Sequence, residues 1–231
     1  MIWGVIASLP EEIDMLIIQT NVTHIKKVSR YSFYFGNIGT HQLVLVNCCG
    51  GKLNAATCTT ILIQKFNIKA ILSIGVTGSL SDELNIFDIV IADKLLFHDN
   101  NLNFDLHQPP HLPFYTADSI LLKRCKQVVD SMTGGNFVYK TGCIASGDNF
   151  IADNAEKAEI ALRTGALGVD MWGAASAQVA AFFEIPFVAL RCISDDSDGE
   201  INKDFERYFK AAAEQPCHIL IEFFTNNELD F

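Results

Sequence analysis

Apolar, largely β-branched runs recur along this chain with enough sequence between most of them for a helix. IWGVIA (2–7), HQLVLVNC (41–48), KAILSIG (69–75), IVIAD (89–93), FVYKTGCIAS (137–146), ALGVD (166–170) and IPFVALRCIS (185–194) read as strands. Several are nearly continuous rather than alternating, the pattern of strands covered on both faces. Between them, 10–18, 53–66, 119–132 and 154–165 have helical spacing, 173–181 reads as a small-residue helix, and 203–224 reads as a closing helix that Pro216 kinks or splits. Strands alternating with helices predict an α/β fold with a mostly parallel sheet and helices on both faces. The segments between 24 and 48 read instead as an antiparallel meander, with turns at Ser29-Arg30 and at 37–40, so the sheet is expected to be mixed.

The 231 residues fit one domain, 1–231, and are enough for a substantial core. A formal charge of −10 and the lack of any Lys/Arg run speak against nucleic acid and anionic membrane as partners. MIWGVIASLPEE has no basic leader and no apolar run approaches the roughly 18 residues of a membrane span, so a cytoplasmic protein is expected. The seven cysteines have no C-x-x-C spacing and read as reduced, mostly buried small hydrophobes.

In such folds ligands meet the carboxyl ends of the strands. After the first strand comes SLPEE, whose Glu11 and Glu12 either complement a helix dipole or do chemistry. GVTGSL (75–80) reads as a turn whose amides can meet a polar ligand, although it is not a dinucleotide fingerprint. In SGDNFIAD, Phe150 either covers a flat ligand or packs inward. The crowded Asp195, Asp196 and Asp198 either tune a general acid or form a solvated loop. A metal at His98, His107 and His111 is disfavoured, because Pro109 and Pro110 preclude a helical histidine pair. GVDMWGAAS (168–176) places one of only two tryptophans, Trp172, at a strand-to-helix junction two residues after Asp170.

Taken in order, MIWGVIASLPEEIDML, ILSIGVTGSLSDELNIFDIVIAD, SGDNFIAD and GVDMWGAASAQVAAFFEIPFVALRCISDDSD resemble the motifs of the bacterial 5′-methylthioadenosine/S-adenosylhomocysteine nucleosidases, within the nucleoside phosphorylase superfamily. The likeness runs almost end to end. It implies a three-layer α/β/α fold around a mixed sheet, usually a homodimer, that hydrolyses the N-glycosidic bond of a purine nucleoside and releases adenine without metal or cofactor. By the same resemblance Asp195 is the acid that protonates purine N7, Ser194 orients it, and Glu12 activates water. Phe150 stacks on the purine and the Ile151 backbone reads its Watson–Crick edge. Met171 packs on ribose, Phe205 lies near the sugar and its 5′ group, Gly78 belongs to the glycine turn, and Arg191 is the arginine of the R-x-I-S-D motif. Phosphorolysis is the poorer reading, because the related phosphorylases carry an arginine where this chain has Ser73.

The chain departs from the nucleosidase pattern on the sugar side. Trp172 stands where the family has a glutamate that accepts the ribose hydroxyls, and indole N–H can only donate. Val76 stands where the family has serine, and Cys49-Gly50 replaces a Gly-Ile pair. Three explanations compete: Asp170 reaches the diol instead, the nucleoside specificity has changed, or the protein binds purine with little turnover. The alternative for Trp172 itself is that it fills a core gap or a dimer interface.

Overall fold

The computed structural model describes residues 1–100, 112–132, 138–195 and 201–226, with side chains of 201–207 excluded. Among the described residues ten strands form one sheet. β1 (Ile2–Ala7) lies between two parallel neighbours, β4 (His41–Asn47) and β5 (Ala70–Ser79). β2 (Asn21–Val28) and β3 (Tyr31–Ile38) continue outward from β4 as the expected antiparallel meander. On the other side, β5 pairs in parallel with β10 (Phe187–Asp195), which runs antiparallel to β6 (Ile89–Phe97). β6 is parallel to β8 (Tyr139–Ser146), β8 to β9 (Ala166–Asp170), and β9 returns antiparallel to β5. Strands β5, β10, β6, β8 and β9 therefore close on themselves as a small barrel, with the two-residue β7 (Tyr115–Thr116) attached to β6.

Helices cover both faces, as the continuous apolar runs require. One apolar cluster places Trp3, Leu43, Leu72 and Leu190 with Leu16 of α1 (Asp14–Gln19), Val128 of α3 (Ser119–Ser131) and Phe223 of α6 (Ile201–Thr225). The opposite cluster joins Ile6, Val44, Ile71 and Ala189 to Leu62 of α2 (Lys52–Phe66) and Ala177 of α5 (Gly173–Phe182). A third, smaller cluster lies under α4 (Asn154–Thr164), where Ile160 meets Cys143, Ala145 and Val169. All nine residues of β10 are buried. None of the seven cysteines is bridged, and only Cys49 is exposed.

Three expectations need correction. The helix read at 10–18 is two pieces: a 3-10 turn over Pro10–Glu12, then α1, separated by Ile13 at φ −132°, ψ −15°. GVTGSL is not a turn, because β5 runs on through Ser79; its flanks on β10 and β9 supply the ladder partners that a local reading cannot see. Pro216 does not split α6, which continues to Thr225.

Candidate active site

The carboxyl end of β1 enters the Pro10–Glu12 turn, where Pro10 supplies a helical φ and lacks only an N–H that a helix start leaves unpaired anyway. That tight turn folds Glu12 back over the strand end. Its Oε2 accepts from the backbone N–H of Ser8 (2.7 Å) and of Leu9 (2.8 Å), and Oε1 accepts from Val76 N–H (2.9 Å). Glu12 is only 2 % exposed. Burial raises its pKa above the usual carboxylate value, while the three N–H donors and the Arg191 guanidinium oppose that rise.

β5 makes room for this carboxylate. A Cβ on Gly75 would lie 2.6 Å from Glu12 Oε1, closer than any side chain tolerates. Three residues on, a Cβ on Gly78 would lie 3.0 Å from Asp195 Oδ2. The two glycines of the G-V-T-G stretch thus clear space for two different acids on one strand. Gly75→Ala is expected to push Glu12 off the Val76 N–H and lower turnover about 10²-fold, the scale set by a displacement of about 1 Å in a reacting group. Steady-state kinetics on folded protein would check this, and an unchanged kcat would mean that Glu12 does not need this position.

Asp195 ends β10, opposite Gly78 at a register shift in the β5 ladder. Its Oδ1 accepts from the Ser194 hydroxyl at 3.0 Å, and its Oδ2 lies 3.2 Å from Lys157 Nζ on α4. The Asp195 and Lys157 side chains are each 3 % exposed. Beside Asp195 a cavity of about 30 Å³ is lined by Gly78, Asn149, Phe150, Ile151, Val169, Asp170, Met171 and Asp195. Phe150 stands 47 % exposed at the rim while Ile151 is buried. Larger clefts lie beside Thr23, His24 and Phe35 (about 260 Å³) and beside Asp118, Glu184 and Pro186 (about 460 Å³), but neither contains Glu12 or Asp195.

The structure therefore gathers Gly78, Phe150, Ile151, Asp170, Met171 and Asp195 around one cavity, with Ser194 on Asp195 and the Val76 backbone on Glu12. The Phe205 side chain, together with Asp196, Asp198, His107 and His111, lies outside the described residues. Glu12, Val76, Ser194, Arg191 and Trp172 do not line the cavity, and the last two are turned into the core. Arg191 is fully buried: its Nε donates to Asp170 Oδ2 (2.9 Å), and its terminal nitrogens donate to Ser73 O (3.2 Å), Ser73 Oγ (3.1 Å) and Leu190 O (3.1 Å). Trp172 is 3 % exposed, with its ring centroid 4.4 Å from the Arg191 guanidinium carbon, a cation–π contact inside the core.

Asp170 borders the cavity but its carboxylate is engaged elsewhere. Oδ1 accepts from Ser146 Oγ (2.5 Å), Trp172 N–H (3.1 Å) and Gly173 N–H (3.0 Å), and Oδ2 takes the Arg191 pair. It caps the start of α5, whose next free amide, Ala174 N–H, is met by Ser146 Oγ at 2.9 Å. Asp170 therefore meets the cavity with a carboxylate already engaged by four donors. The core reading of Trp172 holds, because a guanidinium buried beneath the helix start offers the indole face a partner that solvent would weaken.

Lys157 carried no motif and was missed. Its signal was position: with Ile160 it occupies the inward face of α4, where an amphipathic helix places apolar residues.

The chain matches the family model described as the phosphorylase superfamily over residues 3–225. A 5′-methylthioadenosine/S-adenosylhomocysteine nucleosidase of Staphylococcus carnosus is 34 % identical over 226 residues, covering 95 % of this chain and 97 % of the relative. The nucleosidase of Neisseria meningitidis, solved with methylthio-immucillin-A, superposes with a TM-score of 0.90 at 28 % identity, over 97 % of this chain and 99 % of that one. A futalosine hydrolase of Helicobacter pylori superposes with a TM-score of 0.89 at 28 % identity, over 96 % of each chain. With its fold and nearly its whole length in common with these relatives, the chain belongs to the phosphorylase superfamily and, within it, to the 5′-methylthioadenosine/S-adenosylhomocysteine nucleosidase family.

Proposed function

We infer that this chain hydrolyses the N-glycosidic bond of a purine nucleoside of the 5′-methylthioadenosine/S-adenosylhomocysteine type and releases adenine. The observation that carries the reading is the pair of buried carboxylates, Glu12 and Asp195, each facing a glycine of β5 and standing in the fold shared with the nucleosidases. Cleavage proceeds through a sugar that gains oxocarbenium character while the base departs, so it needs one group to protonate the base and another to deliver a nucleophile. Asp195, oriented by Ser194, serves as the acid toward purine N7, and Glu12 takes the proton of the attacking water. Phe150 stacks on the base, the Ile151 backbone meets its Watson–Crick edge, and Met171 packs on ribose. Water rather than phosphate is the nucleophile, because the position that holds an arginine in the phosphorylases is Ser73, whose oxygens here accept from Arg191.

A second reading, altered nucleoside specificity, is favoured by one finding: with Asp170 engaged and Trp172 in the core, neither supplies an acceptor to the sugar diol. The two readings separate in a base-release assay, with and without phosphate, on methylthioadenosine, S-adenosylhomocysteine, futalosine, inosine and the 2′- and 3′-deoxy forms of adenosine. Phosphate-independent adenine release from methylthioadenosine is the expected result; turnover confined to deoxy or 5′-altered nucleosides would transfer the chain to the second reading. In the same assay kcat/KM should fall toward acid pH with a midpoint above the ordinary glutamate value of 4.5, because Glu12 must be ionised to accept a proton and burial holds its pKa up. A midpoint at or below 4.5 would count against Glu12 as the base. The reading also includes a cytoplasmic homodimer, which sedimentation of the purified protein would test for assembly; among the described residues no helix is long and apolar enough to cross a membrane.

A further inference from the structure

Lys157 stands out once the acid has been located. Its side chain is 3 % exposed, it comes from a different element, and its ammonium lies 3.2 Å from the Asp195 oxygen that also faces Gly78. Stability alone is a poor reason to keep such a pair, because desolvating two charges offsets most of their attraction and apolar replacements of buried pairs are often no less stable. A charge fixed where charge changes during a reaction has a different use.

Building on the nucleosidase reading, we propose that Lys157 is a positioning residue for Asp195, fixing the carboxyl group against the base and stabilising the negative charge it acquires as its proton leaves. In the step concerned, the C1′–N9 electron pair passes to the purine, the proton moves from the Asp195 carboxyl to N7, and neutral base departs. The carboxylate left behind faces the ammonium at Oδ2 and the Ser194 hydroxyl at Oδ1. The water oxygen bonds to C1′ and its proton passes to Glu12, then through solvent back to Asp195 for the next turnover. The ammonium contact strengthens as negative charge returns to Asp195, so it favours the transition state over the bound substrate and acts on kcat more than on KM.

The experiment uses the full chain with Lys157→Gln, which keeps a donor for Oδ2 and fills the site without charge, and Lys157→Arg, which keeps the charge. Each is compared with wild type on methylthioadenosine and on a 5′-methylthio nitrophenyl riboside, whose leaving group departs without protonation; thermal melting verifies folding. For Lys157→Gln, kcat on methylthioadenosine should fall about 10- to 100-fold, the scale of a lost charge-assisted hydrogen bond, with KM nearly unchanged. The loss should shrink on the nitrophenyl substrate, and Lys157→Arg should restore most of kcat. Equal losses on both substrates, equal losses in Gln and Arg variants, or wild-type kcat in Lys157→Gln would each overturn the assignment. Wild-type protein inactive on every nucleoside would instead sink the nucleosidase reading on which it rests, so the two failures are distinct.

Discussion

Asp195→Asn should reduce adenine release by about 10²- to 10⁴-fold, the contribution of a positioned acid to leaving-group departure. The substitution removes the dissociable proton and little else. Asn keeps the side chain's shape: with its carbonyl oxygen turned to accept from Lys157, its amide NH2 faces the Ser194 hydroxyl and donates to that oxygen. Adenine binding measured calorimetrically should survive, which separates a chemical defect from an unfolded pocket. Release at the wild-type rate from folded Asp195→Asn would remove Asp195 from the acid role. The kinetics belong at a temperature where thermal melting shows both proteins to be folded.

Trp172→Ala is expected to cost about 3–5 kcal/mol of stability, the usual range for deleting a large buried aromatic side chain. The loss has two parts. A cavity opens in the cluster that holds Leu95, Ala174, Ala175 and Ala177, and Arg191 loses the ring stacked 4.4 Å from its guanidinium carbon. Thermal denaturation should show a fall on the order of 10 °C for a chain of this size. Trp172→Phe keeps a ring and should recover part of it. Since the indole is no part of the cavity wall, Trp172→Ala opens no space at the sugar and should not raise turnover. A gain in methylthioadenosine hydrolysis with unchanged stability would place the indole in the substrate's path and reverse this assignment.

Much of the architecture was legible because burial leaves a mark on local sequence. Strands covered on both faces appear as unbroken apolar runs, and β1, β4, β9 and β10 fall within about two residues of the runs that predicted them. The meander was equally plain, its turns punctuated by Ser29, which adopts φ 54°, and Gly39, which adopts φ 55°. Stretches whose structure is set by distant partners were misread. Gly75-Val76-Thr77-Gly78 looks like a turn, yet it is held extended by β10, and Gly78 also pairs with Val169 on β9; its glycines serve close approach by Glu12 and Asp195 rather than chain reversal.

The candidate site divides along the same line. The residues alone left Glu12, Asp195 and Phe150 with alternatives open, and it was the resemblance to the nucleosidase motifs that singled them out together with Ser194, Ile151 and Met171. Sequence could not say where Trp172 and Asp170 point, because a side chain two residues from a strand end can face either the ligand or the core. Only the packed structure decided it: the buried Arg191 needs both a counter-charge and a low-polarity cover, Asp170 and Trp172 supply them, and the helix start fixes Asp170 in place. Lys157 was hidden for the same reason. Its partner lies 38 positions away in the chain, and a contact between a helix and a strand end comes into existence only when the sheet closes on itself.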